Sequence, residues 1–203
     1  MLIHGIWMQG FMMSVMSKRL ENLGFRTVTY SYDFFNNSPV ENAKDLYGRI
    51  GELGARRVNL VGHSLGGIVI LHLLHEFPEL AVGKIVLIGS PVNGSYVARR
   101  VHENRMLRPL LGRSTDSGGL LDGAPRYQGD MPLGIITGSG SMGLASVLFP
   151  AGTESDGVVR NSETLIENAA DRVTVPRSHS TMIFSGKCAD YVANFLNLGR
   201  FRL

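Results

Sequence analysis

The chain has one cysteine, Cys188, one tryptophan, Trp7, and no long apolar run. A lone thiol closes no intramolecular disulfide and supplies no cysteine-based metal site, which favours a reducing compartment, so a cytoplasmic location is expected. No stretch approaches the ~18 consecutive apolar residues that span a bilayer. Met1-Leu2-Ile3-His4-Gly5 lacks the basic region, apolar region and small-residue cleavage site of a secretion signal. Charge is also sparse. Charged residues make up 18% of the chain, and 20 Lys and Arg against 17 Asp and Glu leave a net +3. Both signs are dispersed, which argues against nucleic acid as a partner. Arg99, Arg100, Arg105, Arg108 and Arg113 form the one basic cluster, read as a solvated face that leaves weak peripheral attraction to an anionic membrane open. Neither internal repeats nor low-complexity tracts occur. A length of 203 residues suffices for one sizeable core, so one domain over 1–203 is expected.

What is present alternates. Residues 2–6, 25–33, 57–61, 84–90, 133–137 and 173–175 read as strands, several of them continuous β-branched runs of the kind buried on both faces of a parallel sheet. Helical spacing of Val15, Met16, Leu20 and Leu23 marks 14–23, and Gly24 ends it. Ser38-Pro39-Val40-Glu41 combines an N-cap serine, a proline at the first helical position and a glutamate three residues after the cap, predicting a helix to about residue 53. A further helix is expected over 66–77. Strand-helix alternation implies an open parallel sheet with helices on both faces and ligands at the carboxyl ends of its strands. Residues 92–130 are the least regular part, with a short helix expected at 107–112. A connection this long is usually functional or mobile, and it is read as a small lid-like or cap-like excursion.

Residues 58–67, Val-Asn-Leu-Val-Gly-His-Ser-Leu-Gly-Gly, carry the strongest functional signal. A strand here runs into Gly62-x-Ser64-x-Gly66 and then a helix, the context of a nucleophile elbow, in which small residues two before and two after the serine let strand and helix pass closely. The turn exposes the serine hydroxyl and sets the Leu65 N–H at a helix N-terminus, where developing negative charge is favoured. On this segment the chain resembles the α/β-hydrolase superfamily, specifically its small serine lipase and esterase branch, in which Gly-His-Ser-Leu-Gly-Gly is a frequent elbow. The resemblance implies an α/β-hydrolase fold with a minimal six-stranded sheet in the order 2-1-3-4-5-6.

A serine hydroxyl needs a base, and the base an orienting acid. In this fold the chain order is Ser, acid, His. Only His102 and His179 lie downstream with room for an intervening strand and acid, and His179 directly follows the sixth strand, so Ser64 as nucleophile and His179 as base are expected to lie within hydrogen-bonding reach. Asp156, in Ser155-Asp156-Gly157-Val158-Val159, is the expected acid, with Glu154 on the same loop as its competitor. The family setting of a Ser/Asn-Asp-Gly-x-Val string favours Asp156. By the same resemblance, His4-Gly5-Ile6-Trp7-Met8 is the second oxyanion loop, with the N–H of Trp7, or of Ile6 as its alternative, joining that of Leu65. Trp7, Met8, Phe11 and Met12 are read as an acyl-binding wall, His63 as a wall or packing residue, and Pro91 as part of a string that borders the site in relatives.

The set implies neither metal nor organic cofactor. It predicts a carboxylic ester hydrolase acting on a small-molecule or lipid ester through an acyl-enzyme. Acyl transfer and thioester hydrolysis use the same set and stay open, as does a catalytically silent lipid-binding homologue.

Overall fold

A computed structural model of the chain describes residues 1–140 and 153–202. Six strands, β1 (Leu2–Ile3), β2 (Thr29–Tyr30), β3 (Val58–His63), β4 (Val82–Ile88), β5 (Leu133–Gly138) and β6 (Asp171–Val175), form one sheet in the order β2-β1-β3-β4-β5-β6. Every pairing is parallel. From β1 the chain winds outward to β2, then returns past β1 and winds the other way. That reversal opens a crevice at the carboxyl ends of β1 and β3, where His4–Trp7 and Ser64 emerge.

Side chains alternate across the pleat. Leu60, Ile85, Leu87 and Ile135 pack into a core with residues of α2 (Pro39–Glu52) and α3 (Leu65–Glu76). Their neighbours Val61, Val86, Ile88 and Ile136 pack on the opposite face, with α1 (Ser14–Asn22) and the C-terminal helix Gly186–Leu198. Helices therefore cover both faces, which is why β3, β4 and β5 are predominantly apolar. α2 begins with a complete capping box: Ser38 Oγ accepts from Glu41 N–H at 3.2 Å, and Glu41 Oε2 accepts from Ser38 N–H at 2.7 Å.

The two strands at the β1–β2 end are shorter than the sequence pattern suggests. Beyond Ile3 the chain curls away, and the His4 carbonyl accepts from Tyr32 Oη at 2.9 Å instead of from a neighbouring strand. β2 is an edge strand, so its alternation extends well past its pairing. Residues 92–130 are more regular than expected. They contain α4 (Tyr96–Glu103), capped by Ser95 Oγ accepting from Ala98 N–H, and a 3₁₀ stretch Arg108–Thr115 kinked at Gly112 in place of the helix expected at 107–112. The helix Gly186–Leu198, hereafter α5, had readable signals: a Ser185 cap, apolar residues at 188, 189, 192, 193, 195 and 196, and Gly199 at φ 73 past its end.

Candidate active site

β3 ends at His63 and α3 begins at Leu65, so the whole reversal falls on Ser64, with φ 54 and ψ −123. Among the described residues, Ser64 and Trp7 (φ 56) are the non-glycine residues at positive φ. Such conformations cost roughly 1–3 kcal/mol and persist where the surroundings enforce them. At Ser64 the restraint is visible: its N–H donates to the Ile88 carbonyl at 2.9 Å and its carbonyl accepts from Gly67 N–H at 3.0 Å. Clearance explains the elbow glycines. A Cβ on Gly66 would stand 2.5 Å from the Ile3 carbonyl oxygen, and one on Gly62 would stand 2.7 Å from Gly67 N. Neither Leu65 N–H nor Trp7 N–H has an acceptor among the described residues.

Asp156 and His179 come together at the same sheet edge. The Asp156 carboxylate, 2% exposed, accepts from His179 Nδ1 at 2.7 Å through Oδ2, and from Val158 and Val159 N–H at 3.0 and 2.8 Å through Oδ1. The Asp156 carbonyl also accepts from His179 N–H at 2.9 Å. A carboxylate only accepts, so Nδ1 carries the proton and Nε2 presents a lone pair. Glu154 is exposed and takes no part beyond a backbone carbonyl that accepts from Asn161 N–H. Gly89, at φ 54, adjoins this pair, since a Cβ there would lie 3.0 Å from Asp156 Oδ2 and 3.2 Å from His179 Nδ1. Gly89 directly follows Ile88, whose carbonyl accepts from Ser64 N–H, which sets the Asp156–His179 pair beside the elbow. Ser64 Oγ makes no hydrogen bond among the described residues, so the expected hydrogen bond to His179 is not formed.

His63 is buried. Its Nε2–H donates to the His179 carbonyl at 3.1 Å, its ring lies 4.7 Å from the His179 ring, and desolvation holds its pKa down at about 3. It is therefore neutral beneath the other imidazole. His4 is buried too, with its pKa lowered by desolvation. It donates from Nδ1 to the Gly5 carbonyl at 2.7 Å, accepts at Nε2 from Tyr32 N–H at 3.3 Å and stacks on Tyr32, bracing the loop that carries Trp7. Trp7 and Phe11 are exposed, at 58% and 67%, whereas Met8 and Met12 are half-buried against the core and Pro91 is buried.

The 92–130 segment is fastened around this crevice. Trp7 Nε1–H donates to the Leu110 carbonyl at 2.8 Å, and Arg113 reaches Glu41 at 2.7 Å, Asp116 at 2.9 Å and the Asn36 carbonyl at 3.1 Å. At its other end Glu163, on the acid-bearing side, accepts from Tyr96 N–H at 2.7 Å. Sequence reasoning passed over Gly89 and Glu163, and it read Arg113 as part of a solvated basic face, whereas Arg113 is paired with Glu41 and Asp116. Gly89, a glycine placed right after a buried strand, was the most readable of the three.

The sequence model of the alpha/beta hydrolase family matches residues 1–182. The chain belongs to the α/β-hydrolase family. Among solved structures, this α/β-hydrolase is similar to the mature form of a Bacillus licheniformis lipase (18% identity, TM-score 0.75, covering 98% of this chain and 90% of that one). It is also similar to a thermophilic esterase from Thermogutta terrifontis (15%, 0.70, 98% and 89%). A 2-hydroxy-6-oxo-6-phenylhexa-2,4-dienoate hydrolase of Comamonas testosteroni is 35% identical over 75 residues, which cover 32% of this chain and 26% of that protein. The matched stretch thus spans about a quarter of that relative. At these identities the structural likenesses establish the fold. Among the described residues there is no cluster of metal-ligating side chains and no helix long and apolar enough to cross a membrane.

Proposed function

We propose that this α/β-hydrolase cleaves carboxylic esters of small to medium acyl chains by a Ser64, His179 and Asp156 triad. The observation that carries the reading is the buried 2.7 Å Asp156–His179 pair beside a serine held at φ 54 on the elbow. Ser64 Oγ attacks the acyl carbon and its proton passes to His179 Nε2, across a contact that tightens when substrate docks, as catalytic hydrogen bonds often do. The resulting imidazolium is stabilised by Asp156, which also fixes the tautomer. Leu65 and Trp7 N–H groups, which have no acceptor among the described residues, donate to the oxyanion. His179 then protonates the leaving alcohol, and water, activated by the same imidazole, releases the acid and restores Ser64. Neutral His63 beneath His179 contributes no repulsion to this cation.

Trp7 and Phe11, with the half-buried Met8 and Met12, supply the acyl wall, and the fastened 92–130 segment borders it as a fixed rim. The deciding experiment combines a fluorophosphonate probe with p-nitrophenyl esters of graded length. Labelling confined to Ser64, abolished in Ser64→Ala, together with ester turnover, is the expected result. Labelling elsewhere, or ester turnover surviving in Ser64→Ala, overturns the mechanism. Acyl-CoA cleaved in preference to oxygen esters would move the assignment to thioester hydrolysis, and added alcohol acylated in preference to water would move it to acyl transfer.

A further inference from the structure

Among the described residues the most exposed large apolar side chain is Met106, 89% exposed, on a turn that joins α4 to the 3₁₀ stretch. Residues 103–110 form an unbroken exposed run that includes Met106, Leu107 and Leu110. Single exposed apolar residues need no explanation, but three on one protruding turn do. The apolar strip continues, because the Leu110 carbonyl holds the indole of exposed Trp7. The turn itself is built, not loose: Asn104 Oδ1 accepts from Met106 and Leu107 N–H at 3.0 and 3.3 Å, and the Asn104 carbonyl accepts from Arg108 N–H at 2.9 Å.

Charge on this turn is one-sided. Residues 99–110 contain four arginines and one glutamate, a net +3 that equals the net charge of the whole chain, so the rest of the molecule is balanced. Glu103 is engaged by Arg100 at 3.1 Å, and Arg99 donates to the Leu121 carbonyl. Arg105 and Arg108, flanking Met106 and Leu107, are exposed and have no acidic partner among the described residues. Apolar side chains at the tip with free guanidinium groups around them match an anionic lipid surface, which takes the first into its acyl boundary and the second against its headgroups. We propose that the 103–110 turn docks the protein reversibly on anionic membranes, with Met106 and Leu107 inserted and Arg105 and Arg108 on the headgroups. Docking of this kind does not depend on the ester-cleavage reading. Because Arg113 and Trp7 tie down the adjoining segment, docking brings the crevice to the interface without opening a lid.

The test is co-sedimentation of the full chain with vesicles of phosphatidylcholine alone or containing about a third phosphatidylserine. Binding to the phosphatidylserine vesicles should be at least about tenfold tighter and should weaken steeply with salt. Met106→Asp, and separately Arg105→Gln with Arg108→Gln, should each reduce it by about tenfold or more. Neither should alter turnover of a soluble short-chain ester by more than about twofold, since these side chains lie outside the site. Ser64→Ala should dock as the wild type does, which separates failure of docking from failure of the catalytic reading. Equal binding to both vesicle types, or indifference to these substitutions, overturns the proposal. So does a dimer in solution that Met106→Asp dissociates while vesicles go unbound, because the face then belongs to a second copy.

Discussion

At Ser64 a single residue makes the turn from strand to helix, and the backbone is strained to do it. The proposed chemistry needs that strain, since a relaxed serine would return its hydroxyl to the sheet. If Ser64 and His179 act as one unit, Ser64→Ala and His179→Ala should each remove nearly all ester turnover, and the double variant should be scarcely slower than either. Steady-state kinetics on the three proteins measures this, and independent, multiplying losses count against the unit. His63 gives a second expectation. Its pKa is about 3 in the folded chain and near 6.5 when unfolded, so between those values the unfolded chain binds more protons and stability rises with pH. Acidification from about pH 7.5 to about pH 5 should therefore destabilise the protein. His4 and His72, also lowered by burial, act in the same direction. Denaturant unfolding of wild type and His63→Gln at the two pH values tests it: the loss on acidification should be smaller in the variant, and an equal loss would remove His63 from the account.

Among the elements, α2 depends most visibly on its first turn. Ser38 and Glu41 satisfy each other's backbone donors, and Glu41 also meets Arg113, so the start of this helix anchors the segment that rims the crevice. The cap hydroxyl is worth ~1 kcal/mol. Ser38→Ala should lower Tm by about 2–4 °C in a chain of this size while leaving ester turnover near wild type, a result that thermal denaturation and a single-substrate assay provide together. α4 and α5 show where local reading stops short. α5 carried its cap, its periodicity and its terminal glycine in plain view. α4 is only eight residues long, and its polar, arginine-rich body hid the Ser95 cap inside a stretch read as loop.

For the whole molecule the decisive property is how little of the described chain covers the crevice. The 92–130 segment is pinned at Trp7, Glu41 and Glu163, and the aromatic wall at Trp7 and Phe11 stands exposed. An acyl chain lying on such a wall stays partly in water. Each added methylene then contributes at most ~0.8 kcal/mol, about fourfold in kcat/KM, and less as the chain outgrows the wall. Specificity across p-nitrophenyl esters should rise over the first few carbons and then flatten or fall, with no sharp rate increase at the solubility limit of the substrate. A steep jump on long-chain emulsions would show that the rim opens.

The sequence by itself marked the six strands and the first three helices, because strands buried on both faces are mostly apolar and helices carry their own caps and periodicity, and these are local patterns. It also singled out Ser64, Asp156 and His179 as candidates, since the elbow needs glycines at set offsets and chain order limits the partners. Only the tertiary structure decided which carboxylate meets the imidazole. Glu154 and Asp156 lie two residues apart, and the choice rests on a turn in which Val158 and Val159 N–H groups converge on Asp156. It alone showed that Gly89 makes room beside the pair, that His63 lies neutral beneath His179, and that Arg113 spans from the 3₁₀ stretch to α2. Each of these depends on residues far apart in the chain, which no local pattern encodes.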